Sequence, residues 1–345
     1  MKARTIEHLR GPVLRSVSRS FYLSLRVLPR PLRDPLSLAY LLARATDTIA
    51  DTPAPPAELR VDALRNLASA IQGEAPVETV AALRSSFAPL QSDEAERALI
   101  EALPDVLKWL AQLEERDRGE VRDVLEKINR GQTLDLERFG GGASTSTSTS
   151  TSTSIWALAT SADLEEYTYL VAGCVGEFWT RLCFAHIPNF SGRAETEMLA
   201  LGVQYGKGLQ LINILRDAGS DLRVGRCYLP ADELHALDVK PEEILAQPAR
   251  VESIVRTWQE KAERGLAAGI DYACAIRSRR VRFATALPAL IGARTLFLLR
   301  EAGPQVFERT VKVPRAETRR IMLSTAFASP RSLRVTFGKL QGTAV

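Results

Sequence analysis

DPLSLAYLLARATDTIAD, residues 34–51, reads as one helix with two characters. Tyr40, Arg44, Asp47 and Asp51 follow one another at spacings of four, three and four, so they share a face. Leu36, Leu38, Ala39, Leu41, Leu42, Ala43 and Ile49 supply apolar faces around that stripe. A helix that is apolar on most sides is buried, and a polar stripe inside it demands partners. Asp51 falls in the last turn, just before Pro53. A carboxylate there opposes the helix dipole by about 0.3–1 kcal/mol, and a bound cation removes the penalty. The competing reading of this stretch is a plain Arg44–Asp47 salt bridge on a solvated face.

The pattern returns 170 residues later. Gln210, Asn213, Asp217 and Asp221 share a face at spacings of three, four and four. Both acid pairs have i,i+4 spacing, which sets two like charges one helical turn apart. No His or Cys accompanies either pair. Oxygen-only ligation suits a hard divalent ion, Mg²⁺ above all, which uses few side chains and leaves positions for substrate phosphates. Gly202, Gly206 and Gly208 precede the second pair. Each weakens a helix by roughly 1 kcal/mol relative to Ala, a cost accepted where a neighbouring helix or a ligand approaches the backbone. Arg216 and Arg226 can grip phosphate oxygens in bidentate fashion. A capped helix end with surface salt bridges would leave the Asn-x-x-x-Asp-x-x-x-Asp register unexplained.

Outside these stretches, the 345 residues are 46% apolar, enough for a sizeable core, with net charge +4. That mild excess does not point to nucleic acid; it suits anionic substrates or a membrane surface. Cys174, Cys183, Cys227 and Cys274 have no zinc-type spacing and read as free thiols. The N-terminus lacks the apolar region of a secretory signal. No run reaches the ~18 apolar residues of a membrane span; the apolar stretch around 287–299 is broken by Gly292 and Arg294 and followed by Arg300. Helical periodicity covers roughly 92–138, 162–186, 193–221, 248–276 and 281–301. The expected fold is all-α, one domain over 1–345, with a flexible Ser/Thr-rich loop at 140–160 and a polar tail at 329–345. The basic run Arg277–Arg282 reads as an exposed junction between helices. His8, His186 and His235 form no visible triad.

Four motifs in order resemble one family. DTIAD (47–51), NILRDAGSD (213–221) followed by GRCYLP (225–230), the early Ser18-Arg19-Ser20-Phe21, and YTYLVAG (167–173) look like the squalene and phytoene synthases, the head-to-head isoprenyl diphosphate synthases. The likeness runs from about Ser16 to Leu323. It implies an isoprenoid-synthase helical bundle around a central cavity, with the two acidic motifs facing across it. It implies that Asp47, Asp51, Asp217 and Asp221, with Asn213, hold Mg²⁺ against substrate diphosphates. It gives Gln210 a place beside the second motif, and Arg44, Arg216 and Arg226 a part in diphosphate binding. It places Ser20 and Phe21 over the substrate and Tyr40, Tyr167 and Tyr272 in the cavity, with Tyr167 as the proton-abstracting tyrosine. Ala50 departs from the pattern, since many relatives carry a further acid there.

Farnesyl diphosphate is the implied substrate. Loss of diphosphate leaves an allylic cation that must be kept from water. Tyr167, Val171, Cys174, Val175 and Phe178 form a stripe suited to that, with ordinary core packing as the competing reading. The run YTYLVAGCVGEFWTRLC (167–183) looks most like squalene synthases, in which presqualene diphosphate is reduced with NADPH. Phytoene, dehydrosqualene and presqualene diphosphate synthases share the same motifs and stay open as alternatives. No GxGxxG loop is present, so a nicotinamide would bind in another way, with Lys312 and Arg315 as candidate phosphate contacts. The expected location is the cytoplasm, with peripheral contact at the inner membrane face and no nucleic-acid partner. Oligomeric state stays open.

Overall fold

The computed structural model describes residues 3–18, 22, 25, 28–140 and 155–342. Its contacts divide the chain into two compact units, Met1–Ser146 and Thr147–Val345. Nearly all of the regular structure is helical. Ser20, Phe21 and most of the Ser/Thr-rich segment lie outside the described residues.

In the first unit, α1 (Ala3–His8) runs through a π turn (Leu9–Val13) into α2 (Leu14–Ser18). There follow α3 (Arg30–Asp51), α4 (Ala57–Gln72), α5 (Val77–Phe87), α6 (Glu94–Leu110) and α7 (Glu115–Phe139). Helix α3 is the centre of this unit and packs on α4, α6 and α7. Leu38, Leu41, Leu42 and Ile49 are wholly buried. Each such side chain contributes about 1.5–3 kcal/mol as an upper estimate. The helix begins at Arg30, earlier than Asp34, with Pro31 in its first turn, where a missing N–H costs little, and Pro35 inside it one turn on. It ends at Thr52, which is extended ahead of Pro53. The buried Arg60 donates to the Ala50 carbonyl at 2.6 Å. A cation therefore already sits on the final turn, where Asp51 alone would have left an adverse charge.

The second unit starts with β1 (Trp156–Ala157), which pairs in parallel with β2 (Arg226–Cys227). Helix α8 (Ser161–Thr168) is opened by a Thr160–Asp163 capping box and passes through a π turn (Tyr169–Gly173) into α9 (Cys174–His186). Then come α10 (Glu195–Arg223), the short α11 (Ala231–Ala236), α12 (Glu252–Ala275), α13 (Arg279–Ala302), α14 (Arg315–Thr325) and α15 (Pro330–Leu340). Helix α10 is the axis, packed on α9, α12 and α13. The glycines ahead of the second acid pair serve neighbouring helices. A methyl at Gly206 would collide with the Ala172 carbonyl, and one at Gly208 would lie 2.7 Å from the Gly265 Cα of α12.

Arg279–Phe307 is long and apolar enough to cross a membrane by length and composition, and half of its most apolar stretch is buried in this unit. Val281, Ala286, Leu290, Leu296 and Leu299 all turn inward, as in a core helix. The junction before it is fixed by Arg282, which donates to the Ile276 carbonyl at 2.7 Å. The segment read as a polar tail is largely helical: Ser329 caps α15, Pro330 opens it and Leu333 is buried.

Candidate active site

Helix α3 presents its polar stripe with each member engaged differently. The Tyr40 hydroxyl donates to the Val17 carbonyl of α2 at 3.2 Å. Arg44 does not pair with Asp47; it forms an ion pair with Glu96 of α6. Asp47 is half-buried and accepts a hydrogen bond on Oδ1 from the Gln132 side-chain amide of α7. Asp51, one turn on, is exposed. Burial raises the Asp47 carboxyl to about 6, and the negative charge of Asp51 adds to the rise. Arg44 and the Gln132 amide oppose it without cancelling it. On α3 and α7, Gln132 Oε1, Thr48 Oγ1 and Arg44 Nε are buried without a hydrogen-bond partner, and of these residues Gln132 is the one hydrogen-bonded to Asp47.

Helix α10 treats its pair differently. Arg216 Nε and a terminal guanidinium nitrogen grip the two oxygens of Asp217 at 3.0 and 2.5 Å. Asp217 strengthens the hold of Arg216 on its proton against the opposing effect of burial. Asp221 is partly exposed. Asn213 is exposed, with its amide nitrogen 3.4 Å from Gln210 Oε1. Arg226 stands on β2, opposite Trp156.

Tyr167 is partly exposed near the end of α8, its ring stacked on Tyr228 with centroids 5.2 Å apart. Tyr228 directly follows β2, so the small strand pair fixes where Tyr167 stacks. The π turn begins two residues later, a feature frequent at functional sites. The apolar stripe expected on this element divides in two. Cys174 and Phe178 are buried in the core, whereas Val171 is partly exposed and Val175 is 40% exposed. Tyr167, Val171 and Val175 thus form the accessible side. Tyr272 is fully buried on α12, its hydroxyl 2.9 Å from Thr180 Oγ1. Burial pushes its phenol well above the ordinary range. Lys312 and Arg315 are both exposed, just before and at the start of α14.

Among the described residues no cluster of three or more His, Cys, Asp or Glu side chains is arranged to hold a metal. Each acidic helix offers two carboxylates. Mg²⁺ commonly takes one or two carboxylates and fills its octahedron with waters and substrate phosphates. The donor set therefore fits an ion that arrives with a diphosphate, and the unpartnered Gln132 oxygen adds a further hard donor beside Asp47.

The family model for squalene/phytoene synthase matches residues 14–317. The chain belongs to the squalene/phytoene synthase family. It is 30% identical over 254 residues to a bifunctional lycopene cyclase/phytoene synthase of Phaeosphaeria nodorum, covering 72% of this chain and 38% of that protein. The chain thus spans about two fifths of that relative's length. It is 26% identical over 279 residues to a presqualene diphosphate synthase of Rhodopseudomonas palustris, covering 80% of this chain and 81% of that protein. The solved structure of TcSQS with the ligand BPH1237 superposes with a TM-score of 0.76 at 20% identity, covering 98% of this chain and 90% of that one. This likeness shows the all-α isoprenoid-synthase fold.

Two members of the site within the first unit were missed by sequence reasoning. Glu96 and Gln132 lie 52 and 85 residues from their partners Arg44 and Asp47. The only signal for Gln132 was a polar amide inside the apolar period of α7, where Ile128 and Leu136 are buried. In the second unit the partner is Tyr228, which lies within the quoted GRCYLP but was assigned no role there.

Proposed function

We propose that this protein joins two farnesyl diphosphates head to head to give presqualene diphosphate and reduces that to squalene with NADPH. The observation that carries the first step is the donor set. Two helices each present a carboxylate pair one turn apart, and among the described residues no third His, Cys, Asp or Glu joins either pair in a metal-holding cluster. Asp47, Asp51, Asp217 and Asp221, with Asn213, would hold Mg²⁺, whose charge would stabilise the departing diphosphate. Arg216, already poised as a fork, exchanges a carboxylate for phosphate oxygens, with Arg226 and Arg44 as further cations. Gln132 fixes the orientation of Asp47.

Departure of diphosphate leaves an allylic farnesyl cation. The double bond of the second farnesyl chain attacks it, and loss of one proton closes the cyclopropane. Tyr167 receives that proton at its hydroxyl and passes it to the released diphosphate, because a phenol is a weak base on its own. Val171 and Val175 keep water from the cation. In the second step the remaining diphosphate would leave, the cyclopropylcarbinyl cation would rearrange, and NADPH would supply the hydride that quenches it, with Lys312 and Arg315 meeting the phosphates of the nicotinamide cofactor. That step rests on the likeness of residues 167–183 to squalene-forming relatives.

The alternative is an enzyme that stops at presqualene diphosphate, or forms dehydrosqualene or phytoene. The similarity to a presqualene diphosphate synthase over four fifths of both chains favours keeping it. Mass spectrometry of products from farnesyl diphosphate and Mg²⁺, with and without NADPH, separates the readings. Squalene formed only with NADPH supports the proposal. Presqualene diphosphate that persists with NADPH selects the alternative, as does turnover of C20 but not C15 diphosphate. No product from either substrate removes both.

A further inference from the structure

Helix α14 and the turn after it carry a surface that neither acidic helix uses. Its inward side is closed: Ile321 and Thr325 are buried, and Glu317 is ion-paired with Arg294 of α13 at 2.7 Å. Its outward side is open. Leu323 is 71% exposed and Phe327 is 93% exposed, the two most exposed large apolar side chains among the described residues, with Met322 beside them. Arg319 stands one helical turn before Leu323 and Arg320 three residues before it, so both share its side of the helix. Arg331 follows in the first turn of α15. All three arginines are exposed, and none has an ion-pair partner among the described residues. The sole acid between 312 and 340 is Glu317, which Arg294 already occupies.

We propose that this face docks on an anionic lipid surface, with Leu323 and Phe327 entering the headgroup region and Arg319, Arg320 and Arg331 meeting lipid phosphates. Exposed apolar side chains flanked along the chain by cations without ion-pair partners are the composition of an interfacial membrane contact. A second copy of this chain is a poor occupant, because a symmetric contact would set the arginines of one copy against those of the other. The proposal uses no residue of the acidic helices, so it and the reading of the reaction fail separately.

The test is co-sedimentation of the full chain with phosphatidylcholine vesicles, with and without phosphatidylglycerol. Binding is expected to the anionic vesicles and to weaken with added salt. Arg319→Glu with Arg320→Glu should lower affinity by about fivefold or more per residue. Leu323→Ser with Phe327→Ser should also release the protein, and melting temperature should not change in any variant because these positions are exposed. Absence of binding, equal binding to neutral vesicles, or binding indifferent to both double variants would overturn the proposal. So would a concentration-dependent dimer in sedimentation velocity that Phe327→Ser abolishes, since that assigns the face to a second copy.

Discussion

The two acidic helices share a spacing and differ in what keeps it. In α3, Asp47 is half-buried beside a neutral amide, and burial with the charge of Asp51 raises its carboxyl to about 6. In α10, Asp217 is gripped by the guanidinium of its own neighbour, Arg216. One helix holds a carboxyl that burial disfavours in its charged form, and the other a carboxylate already paired with a guanidinium; on the proposed reading a metal ion would relieve the first and compete with the pairing of the second. Spacing says which side chains can face a ligand, and environment says in what state they wait.

The largest effect expected from breaking either helix is on turnover. Asp47→Asn and Asp217→Asn should each lower kcat by about 10²–10³-fold or more, the usual loss when a group stabilising transition-state charge is removed. A radiometric product assay measures this, and activity near wild type in either variant would remove that pair from the site. Next is Gln132→Leu, which leaves both pairs intact. It should weaken Mg²⁺-dependent binding of a farnesyl thiodiphosphate by about 10–100-fold, as loss of a ligand-orienting group does. Calorimetry checks it, and an unchanged affinity would make Gln132 a packing residue only.

Stability should separate the helices by sign. A carboxyl raised from 3.8 to about 6 destabilises the native state as pH rises through that window, and the full cost persists above it. Metal-free Asp47→Asn should therefore be more stable than wild type at neutral pH by about 1–3 kcal/mol, with the difference vanishing below pH ~4. Asp217→Asn breaks a partly exposed pair and should cost no more than about 1 kcal/mol. Urea unfolding at several pH values tests both, and a destabilised Asp47→Asn variant would contradict the account of its surroundings.

The features legible in the sequence were those held within one helix. The stripe Tyr40–Arg44–Asp47–Asp51 and the register Gln210–Asn213–Asp217–Asp221 follow from helical period alone. Boundaries were less legible. The stretch 92–138 is two helices, parted at residues 111–114. The α4 period, Val61, Leu64, Leu67 and Ile71, was present but lies among polar residues that obscure it. The competing reading of α3, an Arg44–Asp47 ion pair, does not hold, because tertiary packing supplies Arg44 with another acid, Glu96. Gln132 shows the same limit, since a period within one helix says nothing about a partner 85 residues away.

Both acid pairs are assigned one task, holding Mg²⁺ against a diphosphate. The most direct measurement is the thermal shift produced by a farnesyl thiodiphosphate with Mg²⁺ or with EDTA, in wild type, Asp47→Asn and Asp217→Asn. A shift of several degrees that needs Mg²⁺ and disappears in each variant is predicted. A shift that survives EDTA, or that either variant retains in full, would contradict it.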